Sequence, residues 1–352
     1  MTADDALAPW LQAQLQSLLR QRGHAWLLAG PSGLGQFQLA LSLAKAWLCE
    51  AATPQGACGV CGSCHAVDVH THADLALLVP EILALELGWP LDEKVQRDLD
   101  EKKRKPSKEI KVEAARGVVS FSQFTRSRGT TKVVLVFPAE RMNLITANTL
   151  LKTLEEPPGA VKFVLATEAI HQLLPTIRSR CLGHSMVWPA SDQALAWLQS
   201  ASRRGQGDDK KPSKPPSETD LQILLKAAGG RPDDALFWVQ GGQATAMAQS
   251  WQALPKAMAA GDVSALSDFL PPEAVSALQK LCHDVWAVSV GSEPRFFNAA
   301  DLPAGAVKPG APALSAWAKE LSATARTVEH PYNPGLMLEA LASRAKIALS
   351  SR

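Results

Sequence analysis

Four closely spaced cysteines are the residues of this sequence best suited to binding a metal. Of six cysteines, four lie within sixteen residues: Cys49, Cys58, Cys61 and Cys64. A C-x-x-C turn presents two sulfurs to one ion, and four thiolates close a tetrahedral zinc shell that leaves no position for water. The spacing therefore predicts a structural Zn²⁺ site, which a reducing compartment favours over disulfides.

Other interpretations of this cluster remain open. The thiolates could instead hold an iron–sulfur cluster or form a redox pair. Nearby histidines could replace one cysteine as a ligand: His65, His70 and His72. Cys181 and Cys282 stand far from the cluster in the sequence, and we expect them to be buried or incidental.

A glycine-rich turn has the spacing of a phosphate loop. A working loop, G-x-x-x-x-G-K-[ST], turns backbone N–H groups toward phosphates, neutralises them with Lys and holds Mg²⁺ through the hydroxyl. Gly30, Gly33 and Gly35 are present, but Gln36 and Phe37 occupy the Lys and hydroxyl positions. A neutral amide cannot replace an ammonium and Phe cannot bind Mg²⁺, so we expect no functional ATP or Mg²⁺.

A second deficit agrees with the first. The apolar run 132–137 should end in acidic residues that hold Mg²⁺, yet it is followed by Pro138-Ala139-Glu140. Glu140 is the one candidate, and it lies beyond the usual place. The pattern indicates a nucleotide-hydrolysis fold that has lost hydrolysis. Weak residual nucleotide binding and a glycine turn without any ligand are the alternatives.

Short apolar runs alternate with helical patterns and must position these residues. The runs predict buried strands at 25–29, 76–79, 132–137 and 161–166. Helical patterns follow at 36–48, 112–121 and 143–154, the last stopped by a double proline. Alternation of this kind predicts an α/β domain with a mainly parallel sheet.

The second half of the sequence has a different character, which begins near Trp188-Pro189. Ser202–Ser217 has no apolar side chain apart from its prolines and predicts a polar loop. Beyond Thr219 the pattern is helical.

In the first half, the charge-rich segment Asp92–Lys111 predicts a solvated helix end or loop. Its basic run Lys102–Lys105 predicts a solvated surface or a contact with phosphate.

Composition excludes several classes of protein. The 352 residues are 46% hydrophobic and 20% charged, which predicts a globular chain of two or three domains. A formal net charge of +2 argues against a protein that coats DNA by itself. There is no apolar run long enough to span a membrane, and the opening residues lack the order of a signal peptide, so we expect a cytoplasmic protein.

Several strings resemble the delta-prime family of clamp-loader subunits of bacterial DNA polymerase III. The resemblance covers the whole chain in outline and is strongest from residue 23 to 184. It rests on Arg22–Leu28 before the degenerate phosphate loop, the four-cysteine insertion, Asn148–Pro158 (NTLLKTLEEPP) and Ser179-Arg180-Cys181. The last two strings are highly specific to clamp-loader subunits.

The resemblance implies an architecture. Residues 1–187 would form an AAA+ P-loop-type domain with the zinc module at 49–64. Residues 188–240 would form a helical lid that includes the polar loop 202–217, and residues 241–352 a helical collar for oligomerisation. The segment near 85–105 and the polar loop depart from the family pattern as insertions.

The resemblance also implies partners and a role. The family hydrolyses no ATP and occupies a hetero-pentameric ring with gamma or tau and delta subunits. That complex places the sliding clamp on primed DNA during chromosomal replication, in the replisome at the nucleoid, with no membrane partner.

Arg180 is the residue that the resemblance singles out. In the family, the arginine of Ser179-Arg180-Cys181 projects across a subunit boundary toward the neighbour's ATP, as a trans arginine finger. An internal ion pair of Arg180 and a contact made by Arg178 are the alternatives. The position of Thr167 senses the γ-phosphate in working members, and here we expect it to cap a strand end.

Two further functions compete with the leading one. The chain could be an active ATPase, either a gamma-like clamp-loader motor or a zinc-bearing helicase loader, or it could be a zinc-ribbon DNA-binding protein, which the near-neutral charge disfavours. Lys152 and Glu155-Glu156 could contact a partner or DNA, although a solvated helix face explains them equally well.

Overall fold

The structure, a computed structural model, describes residues 7–204, 216–241, 243–303, 309–328, 330 and 333–351. The chain divides into two compact units, Met1–Trp188 and Pro189–Arg352. Within the described residues, no helix combines the length and the apolar character needed to cross a bilayer. The opening residues 1–6 and residues 205–215 of the predicted polar loop lie outside the described part.

The first unit contains one five-stranded parallel sheet in its described residues. Its strands are β1 (Ala25–Ala29), β2 (Leu75–Leu78), β3 (Lys132–Val136), β4 (Val161–Thr167) and β5 (Leu182–Ser185). The strand order is β2-β3-β4-β1-β5. All five residues of β3 are buried, as expected for a strand that helices cover on both faces. The parallel α/β fold is confirmed, and so are the four strands that the apolar runs predict.

Helices of the first unit cover the sheet and carry its connections. They are α1 (Pro9–Leu19), α2 (Gln36–Leu48), α3 (Gly62–Asp68), α4 (Glu81–Glu86), α5 (Glu93–Asp100), α6 (Val112–Gln123), α7 (Leu144–Glu155) and α8 (Pro175–Arg178), with 3-10 turns at Ala139–Arg141 and Ile170–Gln172. Helix α2 packs on the sheet through Ala44 and Leu48, which lie four residues apart on one face and cluster with Val133 of β3. Asn143 caps α7 by accepting a hydrogen bond from the Thr146 N–H.

The register of the central strands brings two functional segments together. Ala25–Ala29 of β1 pairs with Phe163–Thr167 of β4, so both strands end at the same edge. The Gly30 N–H, which opens the phosphate loop, donates to the Thr167 carbonyl over 3.2 Å. The loop therefore begins where β4 ends, at the edge of a parallel sheet where ligands usually bind.

The charge-rich segment is less solvated than predicted. Residues 93–100 form helix α5, and Arg104 folds back onto Glu81, a carboxylate only 8% exposed. Burial opposes ionisation of Glu81, but Arg104, the Ser107 N–H and Lys111 stabilise the carboxylate and lower its pKa to about 2. Lys102, Lys103 and Lys105 are exposed, so the prediction of a solvated run holds for them and fails for Arg104.

The second unit is helical in its described residues. Its helices are α9 (Ser191–Arg204), α10 (Glu218–Ala227), α11 (Pro232–Gln240), α12 (Ala244–Ala260), α13 (Pro271–Ser289), α14 (Ala311–Thr327) and α15 (Pro334–Ser350), with a 3-10 turn at Val263–Leu266. Residues 202–204 belong to α9, and Ser217 caps α10, so the predicted polar loop is shorter at both ends. Buried side chains from α9 to α15 form one continuous hydrophobic cluster. The division into lid and collar stays a prediction.

Asp284 is a buried carboxylate that organises the second unit. It is fully buried on α13 and accepts hydrogen bonds from the backbone N–H groups of Arg295, Phe296 and Phe297. The ordered segment stacks the Phe297 ring on Trp251 of α12, with ring centroids 4.6 Å apart. One side chain thus satisfies three backbone donors that would otherwise be buried without partners.

Replacing Asp284 should destabilise this unit. In Asp284→Asn an NH₂ group takes the place of one accepting oxygen, so at least one buried N–H loses its acceptor. We expect the free energy of unfolding to fall by about 3 kcal/mol. Urea denaturation followed by tryptophan fluorescence measures it. Glu293→Gln, an exposed position in the same segment, should change little, and equal effects of the two variants would contradict the assignment.

Candidate functional sites

The phosphate loop is closed by its own side chain. Gln36, the first residue of α2, is 2% exposed and donates from Nε2 to the carbonyls of Gly30 (2.9 Å) and Pro31 (2.6 Å). In a working loop this position carries a Lys that faces phosphate oxygens. Here the neutral amide is turned onto the loop backbone, and its donors are already used by carbonyl oxygens.

Apolar side chains surround the rest of the loop. Phe37, at the position of the Mg²⁺-binding hydroxyl, is buried and packs against Phe137, with ring centroids 5.5 Å apart. Leu34 is fully buried. A Cβ at Gly30 would lie 2.7 Å from the Met186 Cβ, so only glycine fits there. Phe37 therefore places hydrocarbon where Mg²⁺ would need an oxygen ligand.

An acidic side chain lies at the same edge of the sheet. Glu140, in the 3-10 turn after β3, accepts hydrogen bonds from the Thr167 hydroxyl over 2.6 Å and from the Glu168 N–H over 3.0 Å. Thr167 also accepts from the Ala169 N–H, consistent with the expected cap at the end of β4. The sequence offered Glu140 as the one acidic candidate for holding Mg²⁺ and did not indicate its contact with Thr167, which depends on the pairing of β3 with β4.

The four clustered cysteines converge in space. Their Sγ atoms all lie within 4.8 Å of one another: Cys49, Cys58, Cys61 and Cys64. The Cys49–Cys61 and Cys58–Cys64 Sγ separations are 3.8 Å and 3.9 Å. Zinc–sulfur bonds of 2.3 Å in a tetrahedron require edges of about 3.8 Å. The arrangement therefore fits a single tetrahedral metal ion.

Backbone N–H groups prepare two of these sulfurs to be thiolates. Cys61 caps α3, and its Sγ accepts from the Cys64 N–H. Burial raises the pKa of Cys61, but N–H donors from Cys64 and Glu50 and the adjacent thiols outweigh burial and lower that pKa to about 6. The pKa of Cys58 is lowered mainly by the Val60 N–H, whereas burial raises the pKa of Cys64.

The neighbouring histidines take other roles in the described structure. His65 is exposed, and the ring of His70 stacks on Trp89 with centroids 4.1 Å apart. His72 is buried, and its Nδ1 accepts from the Asp74 N–H. Among the described residues, the groups that could hold a metal reduce to the four cysteines.

Arg180 forms an ion pair within its own chain. Its Nε and Nη2 donate to Glu155 Oε1, the former over 2.6 Å, and its Nη1 donates to the Thr176 carbonyl over 2.7 Å. Arg178 on the same turn is exposed. The internal ion pair thus exists in the isolated chain, and the trans role stays a prediction.

Two cysteines lie outside the cluster, Cys181 and Cys282. Burial raises the pKa of Cys181 to about 12 and that of Cys282 to about 11; Cys282 is buried, as expected, and Cys181 is partly buried. Lys152 and Glu156 are exposed on the last turn of α7 and just beyond it. A partner contact by either stays a prediction.

The fold and the loop by themselves define the class of domain to which the first unit belongs. A parallel sheet whose β1 leads through a glycine turn into α2 is a P-loop-type AAA+ domain, and here its nucleotide loop is occupied by Gln36. A family model described as "DNA polymerase III, delta subunit" matches residues 7–186, about half of the chain. The chain belongs to the delta-prime family of DNA polymerase III subunits.

Curated relatives agree with this assignment. DNA polymerase III subunit delta' of Pseudomonas aeruginosa is 35% identical over 226 residues, 64% of this chain and 58% of the relative. The Escherichia coli subunit delta' is 31% identical over 261 residues, 72% of this chain and 67% of the relative. This chain therefore matches little more than half the length of the Pseudomonas relative.

Related proteins outside the delta-prime group are also similar. DNA polymerase III subunit tau of Salmonella typhimurium is 34% identical over 213 residues, 60% of this chain and 28% of tau. Among solved structures, a gamma-subunit-related protein of Thermotoga maritima aligns with 96% of this chain and 99% of its own, at 15% identity and a TM-score of 0.46.

Proposed function

We propose that this protein is a non-hydrolysing subunit of a DNA polymerase III clamp loader, which helps to place the sliding clamp on primed DNA in chromosomal replication. Its partners are gamma or tau and delta subunits in a hetero-pentameric ring. It contributes shape, an oligomerisation surface on its helical half and one arginine, and performs no nucleotide chemistry of its own.

The hydrogen bonds of Gln36 are the observation that carries this proposal. A phosphate loop works because N–H donors and a Lys face the ligand. Here the side chain at the Lys position donates to the loop's own carbonyls, and Glu140 adds a carboxylate at the same edge. Both features disfavour a polyanion, which argues against a gamma-like motor or a helicase loader.

The four-cysteine cluster supports a structural zinc ion as the one cofactor. The cysteine sulfurs match a tetrahedral shell in number, type and separation. A closed shell leaves no position for a water or substrate, so bound zinc would supply cross-linking and no catalysis. A redox pair or an iron–sulfur cluster is the alternative that metal analysis distinguishes.

Arg180 is the residue through which this chain would act on its neighbour. An arginine finger is useful only where γ-phosphate charge develops, and the chain's own loop has no place for a phosphate. The motif Ser179-Arg180-Cys181 directly follows α8, with Ser179 exposed and Arg180 and Cys181 partly buried. We therefore assign Arg180 to the ATP of the adjacent motor subunit.

One zinc ion per chain is the first expected result. Elemental analysis of protein purified without added metal should give a zinc-to-protein ratio near one. Cys61→Ser should lose the metal and unfold the module, because metal binding and folding are coupled in a structural site. Cys181→Ser should keep its zinc. Iron in place of zinc, or no metal at all, would contradict the assignment.

Nucleotide binding should be weak or absent. Calorimetric titration with Mg²⁺-ATP should detect no micromolar affinity, since the loop offers neither the ammonium nor the Mg²⁺ ligand. The double variant Gln36→Lys with Phe37→Thr should gain binding without full hydrolysis, because Pro138-Ala139 still stands where a working site has its acidic pair. Gln38→Lys adds the same charge outside the loop and should gain none. Micromolar affinity or hydrolysis by the unmodified chain would favour the motor alternative.

Arg180→Ala should leave folding, zinc content and ring assembly intact but lower ATP hydrolysis by the whole complex. Arginine fingers contribute roughly 10³–10⁵ in rate at their own site. The total loss should be partial, since the other motor sites keep their own fingers. Arg180→Lys should restore little of the lost hydrolysis, because lysine lacks the planar fork of donors that arginine has.

The measurement is steady-state hydrolysis, stimulated by clamp and primed DNA, in a complex reconstituted with subunits of the same organism. Arg178→Ala, on the same turn, is the matched control and should behave as the unmodified chain. If Arg178→Ala lowers hydrolysis and Arg180→Ala does not, the contact belongs to Arg178.

A further inference from the structure

The guanidinium of Arg180 is hydrogen-bonded to Glu155 along the edge formed by Nε and Nη2. Its Nε and Nη2 donate to the same oxygen of Glu155, and Nη1 donates to the Thr176 carbonyl. Nη1 also lies 3.4 Å from the Ser179 hydroxyl. Of the five N–H bonds of arginine, these acceptors within the described chain leave one, on Nη2, for a further acceptor. These contacts fix the plane of the guanidinium and leave one N–H of Nη2 to donate to another acceptor.

Glu155 is well placed to hold this geometry because it belongs to an anchored helix. It is the last residue of α7, whose Leu150 and Leu154 are fully buried in the core of the first unit. The Leu154 carbonyl lies 2.9 Å from Nε2 of His24, which ties the end of the helix to the start of β1. A side chain on a rigid element positions a functional group more accurately than one on a free loop.

The ion pair is too exposed to be explained by stability. The side chains of Glu155 and Arg180 are 47% and 28% exposed. Pairs of this kind add little to the free energy of folding. A long arginine side chain nevertheless loses rotamer freedom when it binds a phosphate, and a partner that orders it beforehand removes part of that cost.

We propose that Glu155 is the positioning residue of Arg180: it orders the guanidinium on the surface of this subunit so that the remaining donor faces the phosphate of the adjacent subunit's nucleotide. The inference rests on the proposed trans role of Arg180. Glu155 touches no nucleotide in this scheme and acts only through the arginine.

The test isolates the one site that faces this chain. A clamp-loader complex is reconstituted in which the motor subunits carry Ala at their own Ser-Arg-Cys arginine, so that Arg180 is the remaining finger. Single-turnover ATP hydrolysis is then measured with Glu155→Gln, with the neighbouring exposed control Glu156→Gln, and with Arg180→Ala, alone and combined with Glu155→Gln.

A positioning role predicts a two- to fivefold lower maximal rate for Glu155→Gln, about the size expected from a surface ion pair, with an unchanged ATP concentration at half-maximal rate. Thermal stability and zinc content should not change, and Glu156→Gln should match the unmodified chain. In the Arg180→Ala background, Glu155→Gln should have no further effect, since two residues that act through one contact are not additive.

Three results would overturn the inference. If Arg180→Ala does not lower hydrolysis, the trans role fails and the positioning role falls with it. If Arg180→Ala lowers hydrolysis but Glu155→Gln behaves as Glu156→Gln does, the trans role stands and Glu155 has no part in it. If Glu155→Gln raises the rate, the carboxylate restrains the arginine instead of aiming it.

Discussion

The parallel pairing of β1 with β4 is the constraint on which this molecule depends. It sets the start of the phosphate loop beside the end of β4 through the Gly30–Thr167 hydrogen bond, while the neighbouring pairing of β3 with β4 brings Glu140 within reach of Thr167. In a nucleotide hydrolase the same edge gathers donors and a metal around phosphate oxygens. Here it gathers an amide that binds its own loop, two aromatic rings and a carboxylate. The fold is that of a nucleotide hydrolase, but the side chains at this edge differ in charge and polarity from those that bind phosphate.

The Gln36 contacts show how the glycine loop is held in shape by a neutral amide at the Lys position. Phosphate accepts hydrogen bonds and cannot satisfy a carbonyl oxygen, so the Gly30 and Pro31 carbonyls of the loop take a donor from the protein itself. The Gln36 amide supplies that donor and is itself buried. Phe37 fills the adjoining space against Phe137. The loop is therefore closed and packed by the chain's own side chains.

In the cysteine cluster, at Arg180 and in the loop, backbone groups form hydrogen bonds that orient a polar or ionisable side chain. The N–H groups of Cys58 and Cys64 bind the sulfurs of Cys49 and Cys61. The Thr176 carbonyl, on the first turn of α8, binds Arg180. Charged or ionisable side chains are thereby ordered at modest exposure, because hydrogen bonds to charged groups are stronger than those between neutral groups.

The sequence by itself determined the parallel α/β domain, the helical second half, the cluster of four cysteines and the degenerate loop, because each depends on local periodicity or on spacing along a short segment. It could not reveal β5, an edge strand with Gly183, His184 and Ser185 and no apolar run, nor the ion pair of Arg104 with Glu81. Only the tertiary structure decided that Gln36 turns onto its own loop, that Glu140 binds Thr167 and that Glu155 holds Arg180. Those contacts join residues from different elements, or depend on a side-chain conformation that the surrounding packing selects, and residue types along a chain specify neither of these.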